Sequence, residues 1–204
     1  MKISKKITLI SAAFFLLFLS SCVETVVVGT VAGAVVVTRE KSLENTAYDV
    51  KIAAQLNAEL LKNGLKSPKS YVEVMVNEGR VLLLGVLSDP IKAKTASIIA
   101  WKINGTKEVI DEIELVDERR INVKTIGQNI GDHLITAQIE TRLFFTRNIF
   151  SRNYKVATVE GVVYLLGVAQ DESEMQKVFS AVSRARGVKK VVNHVILVND
   201  RRRQ

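Results

Sequence analysis

Few residues in this sequence have the side chains and the spacing that catalysis or metal binding requires. Cys22 is the only cysteine, so an internal disulfide and a site built from several thiolates are both excluded. The two histidines, His133 and His194, lack Cys, Asp or Glu residues at the spacing of a metal site or a catalytic triad. The chain has no glycine-rich phosphate loop and no nucleophilic serine elbow. The sequence therefore predicts a binding protein without catalytic residues, metal or cofactor.

Cys22 follows a segment typical of a bacterial export signal. Three lysines in the first six residues precede an apolar run from residue 7 to residue 19, which is too short for an ordinary transmembrane helix. The segment Leu19–Cys22 resembles the lipobox of bacterial lipoproteins, in which the thiol receives diacylglycerol, the signal is cut off and the new amino terminus is acylated. We therefore expect residues 1–21 to be a signal peptide and Cys22 to be lipidated. The alternative is a conventional signal peptide that ends beside a free cysteine.

An acylated Cys22 would hold the protein on a membrane, because two acyl chains already give stable attachment. In lipoproteins of this kind an aspartate directly after the cysteine retains the protein at the inner membrane, and Val23 stands there instead. By that resemblance the expected location is the outer membrane, facing the periplasm. The formal net charge is +8, but nucleic acid is not an expected partner because the leader exports the chain.

From residue 46 onward the sequence contains an internal repeat. Residues 52–56 match residues 135–139 at an offset of 83. At an offset of 82, residues 78–79 match residues 160–161 and residues 83–86 match residues 165–168. One additional residue in the first helix-to-strand connection explains the change of offset. We therefore divide the chain into six parts. They are a signal peptide (1–21), a lipidated cysteine with a Val/Gly/Ala tether (22–45), a first domain (46–118), a linker (119–124), a second domain (125–200) and a basic tail (201–204).

Each copy has the pattern helix, strand, strand, helix, strand. Apolar residues recur every four positions in the first helix of each copy: Ile52, Leu56 and Leu60, then Ile135, Ile139 and Leu143. The alternation from residue 72 to residue 76, the turn at Glu78 and Gly79 and the apolar run after it predict a β-hairpin. We expect an α+β fold of two tandem domains, in each of which two helices pack on one face of a three-stranded sheet.

Polar residues mark the start of the second helix in each copy. Asp89 can cap free amides, and Pro90 suits the first helical position. Asp171 takes the same place in the second copy, and Glu174, three residues later, completes the pattern of a capping box. The last strands are expected at about residues 107–116 and 189–198.

This arrangement resembles a known family. The most specific stretches, residues 135–143 and 154–192, are similar to the BON domain, and the whole chain resembles the dual-BON outer-membrane lipoproteins of the DolP type. The resemblance implies α/β sandwich domains, a periplasmic location, affinity for anionic phospholipid and a role in envelope integrity. It does not imply an enzymatic reaction.

The first helices of the two copies differ on the face that points away from the core. This face carries Lys51, Gln55, Glu59 and Lys62 in the first copy, and Leu134, Gln138, Arg142 and Phe145 in the second. A polar surface has thus become apolar and basic, and large apolar side chains on such a face need a partner. Because basic residues attract anionic bilayers, we predict a surface-lying helix that inserts its apolar side chains among lipid headgroups.

The predicted phospholipid-binding residues are Leu134, Gln138, Arg142, Phe144, Phe145 and Arg147. In the family, lipid binding is associated with the second copy and this helix, where tryptophan often stands in place of Leu134. This departure moves the expected insertion toward Phe144 and Phe145. The expected partner is therefore the inner leaflet of the outer membrane with its anionic phospholipids.

Other interpretations remain open from the sequence. Leu134, Phe144 and Phe145 could instead pack against the first copy as a domain interface. The protein could also be an adaptor that binds an envelope protein or peptidoglycan through exposed sheet or helix faces, with lipid merely concentrating it. Trp101 is expected to pack, and the arginines at 201–203 are expected to form a solvated tail.

Overall fold

A computed structural model of the chain describes residues 43–67, 70–117 and 130–203. The predicted signal peptide, Cys22, the tether as far as residue 42 and the predicted linker lie outside the described residues. Residues 38–204 form one compact unit, which contains both domains. The hydrophobic core clusters of its described residues draw on side chains between residues 52 and 197.

The predicted order of elements is confirmed in both copies. In the described part of the first domain the elements are α1 (Leu43–Lys62), β1 (Lys66–Ser67), β2 (Ser70–Asn77), β3 (Arg80–Leu87), α2 (Pro90–Lys102) and β4 (Glu108–Leu115). In the second domain they are α3 (Ile130–Phe145), β5 (Tyr154–Val159), β6 (Val162–Ala169), α4 (Glu172–Ser183) and β7 (Lys190–Leu197), with 3-10 turns at Ser151–Asn153 and Arg201–Arg203. α1 begins three residues before the predicted domain boundary.

Each sheet combines an antiparallel hairpin with one parallel strand. β2 pairs with β3 and β5 with β6 in antiparallel register, and β4 and β7 then add in parallel to the central strands β3 and β6. The first sheet also gains the short strand β1, which pairs with β2. Both hairpins turn through two residues of positive φ, Glu78 with Gly79 and Glu160 with Gly161. This is the type I′ turn, whose twist matches that of the flanking strands.

The helices cover one face of each sheet. Ile52, Leu56 and Leu60 of α1 are buried, as the four-residue spacing predicted. α2 contributes the small side chains Ala93, Ala96 and Ala100 to the same core, so its backbone can approach the sheet closely. In the second domain Ile139 and Leu143 of α3 pack with Val178 and Val182 of α4 in an equivalent core.

The predicted helix caps are confirmed, with one correction. The Asp89 carboxylate accepts from the amide of Ile91 at 2.8 Å, and the Asp171 carboxylate accepts from the amide of Glu174 at 2.8 Å. The Glu174 side chain does not close a capping box on Asp171. It is buried and instead accepts from the amides of Gln170 and Phe150, each at 2.8 Å. The reason is that the connection after α3 brings a second amide, that of Phe150, to the same carboxylate.

The two domains contact each other through the sheet faces that carry no helices. A shared core joins Met75, Leu82 and Leu84 of the first sheet to Ala157 and Leu166 of the second. The helix layers therefore lie on the two outer sides of the unit. An adaptor that binds through these sheet faces would have to displace the sister domain. The outer faces of the helices, in contrast, can be reached without separating the two domains.

Polar contacts surround this shared core. The guanidinium of Arg80, which is almost completely buried, donates to the carbonyl of His194 at 2.9 Å and pairs with Glu108 of its own sheet. The ring Nε2 of His194 lies 2.9 Å from the carboxylate of Glu112. Each of these groups would be costly to bury without a partner, so the domain pairing is specified by polar as well as apolar complementarity.

Of the three arginines expected to form a solvated tail, Arg201 and Arg202 are exposed, whereas Arg203 is partly buried. Arg203 binds the Glu78 carboxylate through two nitrogens, at 2.7 and 3.0 Å, so it links the end of the second domain to the hairpin of the first. Arg202 pairs with Asp200 at 2.7 Å. Its hydrogen bonds hold the pKa of the Asp200 carboxyl well below its usual range. The contact of Arg203 could not be expected from the sequence, because Glu78 lies 125 residues earlier in the chain.

Candidate functional site

The start of α3 is fixed by a carboxylate that the sequence analysis did not single out. Asp132, in the first turn of α3, is buried and accepts from the amides of Glu160 and Gly161 at 2.8 Å each. These are the two turn residues of the β5–β6 hairpin. Two hydrogen bonds therefore join the first turn of α3 to the hairpin turn of its own sheet.

The first domain repeats this contact. Asp49 of α1 accepts from the amides of Glu78 and Gly79 at 2.9 Å each. The two aspartates stand at the same place in the repeat, three residues before the first core isoleucine of each helix. That recurrence was the available signal, and we name the contact the hairpin clamp.

The outer face of α3 presents large apolar side chains to solvent. Leu134 is 65% exposed and Phe145 is 77% exposed, and Phe144 and Ile130 are exposed as well. Ile130, Leu134 and Phe145 lie on one side of the helix, opposite its core residues. These positions are not buried against the first copy, so the domain-interface interpretation is wrong for them. Ile130 was not among the predicted residues, although its spacing of four from Leu134 could have identified it.

Two of the predicted polar residues have partners inside the protein. The Gln138 side chain accepts from the amide of Arg186 at 2.8 Å, and one Arg142 nitrogen donates to the carbonyl of Ala181 at 3.1 Å. Both contacts hold α3 to α4 and to the connection that follows α4. Arg147, beyond the end of α3, is exposed.

A shallow groove of about 530 Å³ runs between α3 and α4, and no acidic residue lines it. Its cations are Arg142, Lys177 and Arg184, and hydroxyl groups of serines and a threonine lie among them. Guanidinium, ammonium and hydroxyl groups are the side chains that bind phosphate oxygens. Lys177 lies on α4 and Arg184 follows its last residue, so neither could be found by comparing the first helices of the two copies. We call α3's apolar stripe together with this groove the α3 face.

A second cleft, of about 430 Å³, lies beside Phe144 and Phe145 and reaches down to Tyr154. The two phenylalanine rings meet edge to face, with centroids 5.1 Å apart. Burial, together with the nearby Glu174 carboxylate, raises the pKa of the Tyr154 phenol above its usual value. The lining of this cleft is mixed, because Leu143 and Val156 lie in it together with the charged residues Glu140 and Arg152.

Among the described residues, no three His, Cys, Asp or Glu side chains are grouped so that they could hold a metal ion. Within the same ranges, no helix is both long and apolar enough to cross a bilayer.

Comparison with known proteins identifies the repeated module. The model of the BON domain matches residues 48–117 and 131–199. An uncharacterized protein of Anaplasma centrale is 38% identical over 76% of this chain and 99% of its own length. The outer membrane lipoprotein DolP of Haemophilus influenzae is 27% identical over 86% of this chain and 88% of its own, and the osmotically-inducible protein Y of Escherichia coli is 28% identical over 79% of each. Both matched segments coincide with the two sheets and their helices, and the chain therefore belongs to the BON domain family, of which it carries two copies.

Proposed function

We propose that the protein is an outer-membrane lipoprotein facing the periplasm, anchored through Cys22, whose second BON domain binds anionic phospholipid and thereby supports the integrity of the envelope. The observation that carries this proposal is the α3 face, where exposed Leu134 and Phe145 lie beside a cationic groove. The similarity to a relative named as an outer membrane lipoprotein supports the location.

The α3 face has the two components that an interfacial lipid site needs. Leu134, Phe145 and their apolar neighbours supply side chains that can enter the boundary between headgroups and acyl chains. Arg142, Lys177 and Arg184 supply positive charge near the phosphate level, where each basic residue contributes about 1 kcal/mol of attraction to an anionic surface. Gln138 then acts mainly by holding the helix in place.

Lipid binding can be measured by vesicle flotation of a fragment of residues 38–204, which lacks the acyl anchor. The native unit is expected to float with vesicles that contain phosphatidylglycerol and to float poorly with vesicles of phosphatidylcholine alone. Leu134→Glu with Phe145→Glu removes about 2–3 kcal/mol of apolar insertion, since each side chain contributes about 1–1.5 kcal/mol when half buried. This corresponds to a loss of about 30- to 150-fold in partition.

The first domain offers a matched control. Val50 and Leu61 of α1 are also exposed apolar residues, and Val50→Glu with Leu61→Glu introduces the same charge. The control variant is expected to float as the native unit does. Equal flotation of the native unit and the folded Leu134/Phe145 double variant would refute the α3 face. Failure of the native unit to float with phosphatidylglycerol vesicles would favour an adaptor that binds an envelope protein or peptidoglycan.

A further inference from the structure

The second helix of the first domain, α2, has an outer face that its own core does not explain. Ala93, Ala96 and Ala100 face the sheet. On the opposite side, Trp101 is 56% exposed and Ile98 is 45% exposed, and Ile91, the second residue of the helix, is exposed as well. The packing role expected for Trp101 is therefore wrong. The spacing of these three residues places them on one side of the helix.

The sister domain shows that the fold does not require these side chains. At the repeat offset of 82, Ile91, Ile98 and Trp101 correspond to three serines of α4: Ser173, Ser180 and Ser183. Both domains expose other apolar residues on their helices, such as Leu61 of α1 and Phe179 of α4, but only the second helix of the first domain carries large apolar side chains at these three positions. The first domain thus has a tryptophan and two isoleucines at exposed positions where the second domain has serines. A surface that contacts only solvent favours serine, so the apolar side chains indicate a binding partner.

The charge of α2 indicates the partner. α2 contains three lysines and no acidic residue, and Asp89, just before it, is used as the helix cap. Lys94 and Lys102 lie on the same side as Ile98. The corresponding helix α4 instead carries Glu172 and Glu174. A helix with lysines among isoleucine and tryptophan has the composition of one that lies in an anionic membrane interface, where tryptophan is especially favoured.

We propose that this α2 face, formed by Ile91, Lys94, Ile98, Trp101 and Lys102, is a second docking surface for anionic phospholipid bilayers, separate from the α3 face. The sheets meet through their helix-free faces, so the two docking surfaces point to opposite sides of the unit. One unit can therefore contact two anionic bilayer surfaces, and free units should link vesicles together.

Trp101 is the only tryptophan of the chain, which makes it a reporter built into the α2 face. On addition of phosphatidylglycerol vesicles to residues 38–204, we expect the tryptophan emission to shift to the blue and to be quenched by brominated acyl chains. Phosphatidylcholine vesicles should cause neither change. The same shift is expected in the Leu134→Glu and Phe145→Glu double variant at higher lipid concentration, because the α2 face does not depend on α3.

The geometry is tested by vesicle clustering, followed by light scattering. The native unit should cause phosphatidylglycerol vesicles to aggregate. The double variant Ile98→Glu with Trp101→Glu should still float with the vesicles but should no longer aggregate them. The sister positions allow a milder variant, Ile98→Ser with Trp101→Ser, which introduces the residues that α4 already tolerates.

The two proposals fail in different ways. An unshifted, unquenched Trp101 in a unit that floats through α3 overturns the α2 face and leaves the α3 face standing. Undiminished flotation of the Leu134/Phe145 variant, combined with loss of flotation in the Ile98/Trp101 variant, refutes the α3 face and makes α2 the lipid-binding surface. A Trp101 emission that responds to an acidic protein or to peptidoglycan fragments but not to vesicles replaces lipid by that partner.

Discussion

Removing the hairpin clamp of the second domain should cost more stability than any single exposed contact on α3. The Asp132 carboxylate accepts two backbone hydrogen bonds at 2.8 Å, and one of them, from Gly161, is buried. Hydrogen bonds to a charged group contribute about 1.5–3 kcal/mol each, and a buried amide left without an acceptor carries its own desolvation cost. We therefore expect Asp132→Ala to lower the free energy of unfolding by about 3 kcal/mol.

Asp132→Asn separates hydrogen bonding from charge. The asparagine oxygen can keep one of the two amides, but its NH2 group faces the other donor. Its expected cost is about half that of Asp132→Ala. Urea unfolding of residues 38–204, followed by circular dichroism, gives both values from the shift in midpoint at constant slope.

The controls use other acidic residues of the same domain. Asp171→Ala removes a helix cap and should cost about 1 kcal/mol. Glu172→Ala alters an exposed side chain, and its effect should stay within about 0.5 kcal/mol. If Asp132→Ala costs no more than Glu172→Ala, the two turn amides do not depend on the carboxylate, and the clamp is not what fixes α3.

Three further predictions concern other parts of the chain. Cys22→Ser should abolish incorporation of labelled palmitate and release the protein from the outer-membrane fraction on a sucrose gradient; retention there would contradict anchoring at this residue. A double-mutant cycle of Arg203→Ala and Glu78→Gln should give a coupling energy of about 1 kcal/mol, because the pair is bidentate but partly exposed; zero coupling would show that the link does not stabilise the unit. Burial raises the pKa of the Glu73 carboxyl, and the neighbouring Lys66 and His133 offset part of that rise. Because the fold disfavours ionised Glu73, Glu73→Gln should raise the melting temperature at neutral pH, and its advantage should shrink as the pH falls through the raised pKa toward the ordinary value; an advantage that grows on acidification would contradict the assignment.

The elements could be predicted from the sequence because their signals are local. The spacing of Ile52, Leu56 and Leu60 depends only on the helix that contains them, and the turn at Glu78 and Gly79 depends only on its own backbone. The duplication strengthened each assignment, because a pattern that recurs at a fixed offset is seldom accidental. The exposure of Leu134 and Phe145 followed from the same helical geometry.

The pairing of the sheets could not be predicted in this way, because it joins residues that are far apart in sequence. The unbroken apolar run of β3 was the one hint, since all of its residues from Arg80 to Leu87 are buried and a strand covered on both faces lacks alternation. Arg80 reaches the carbonyl of His194 and Arg203 reaches the carboxylate of Glu78, each in the other domain, so neither of these contacts has a local pattern. Trp101 was misjudged because a single aromatic residue in a helix is more often part of a core.

The shared core between the sheets has a consequence for how this pair of modules can exist apart. Met75, Leu82 and Leu84 would face water in an isolated first copy, as Leu166 would in an isolated second copy. Modules of this size have little surplus stability, and an uncovered sheet face invites self-association. Each copy therefore covers the apolar sheet face of the other, and either copy expressed alone should be less soluble than the pair.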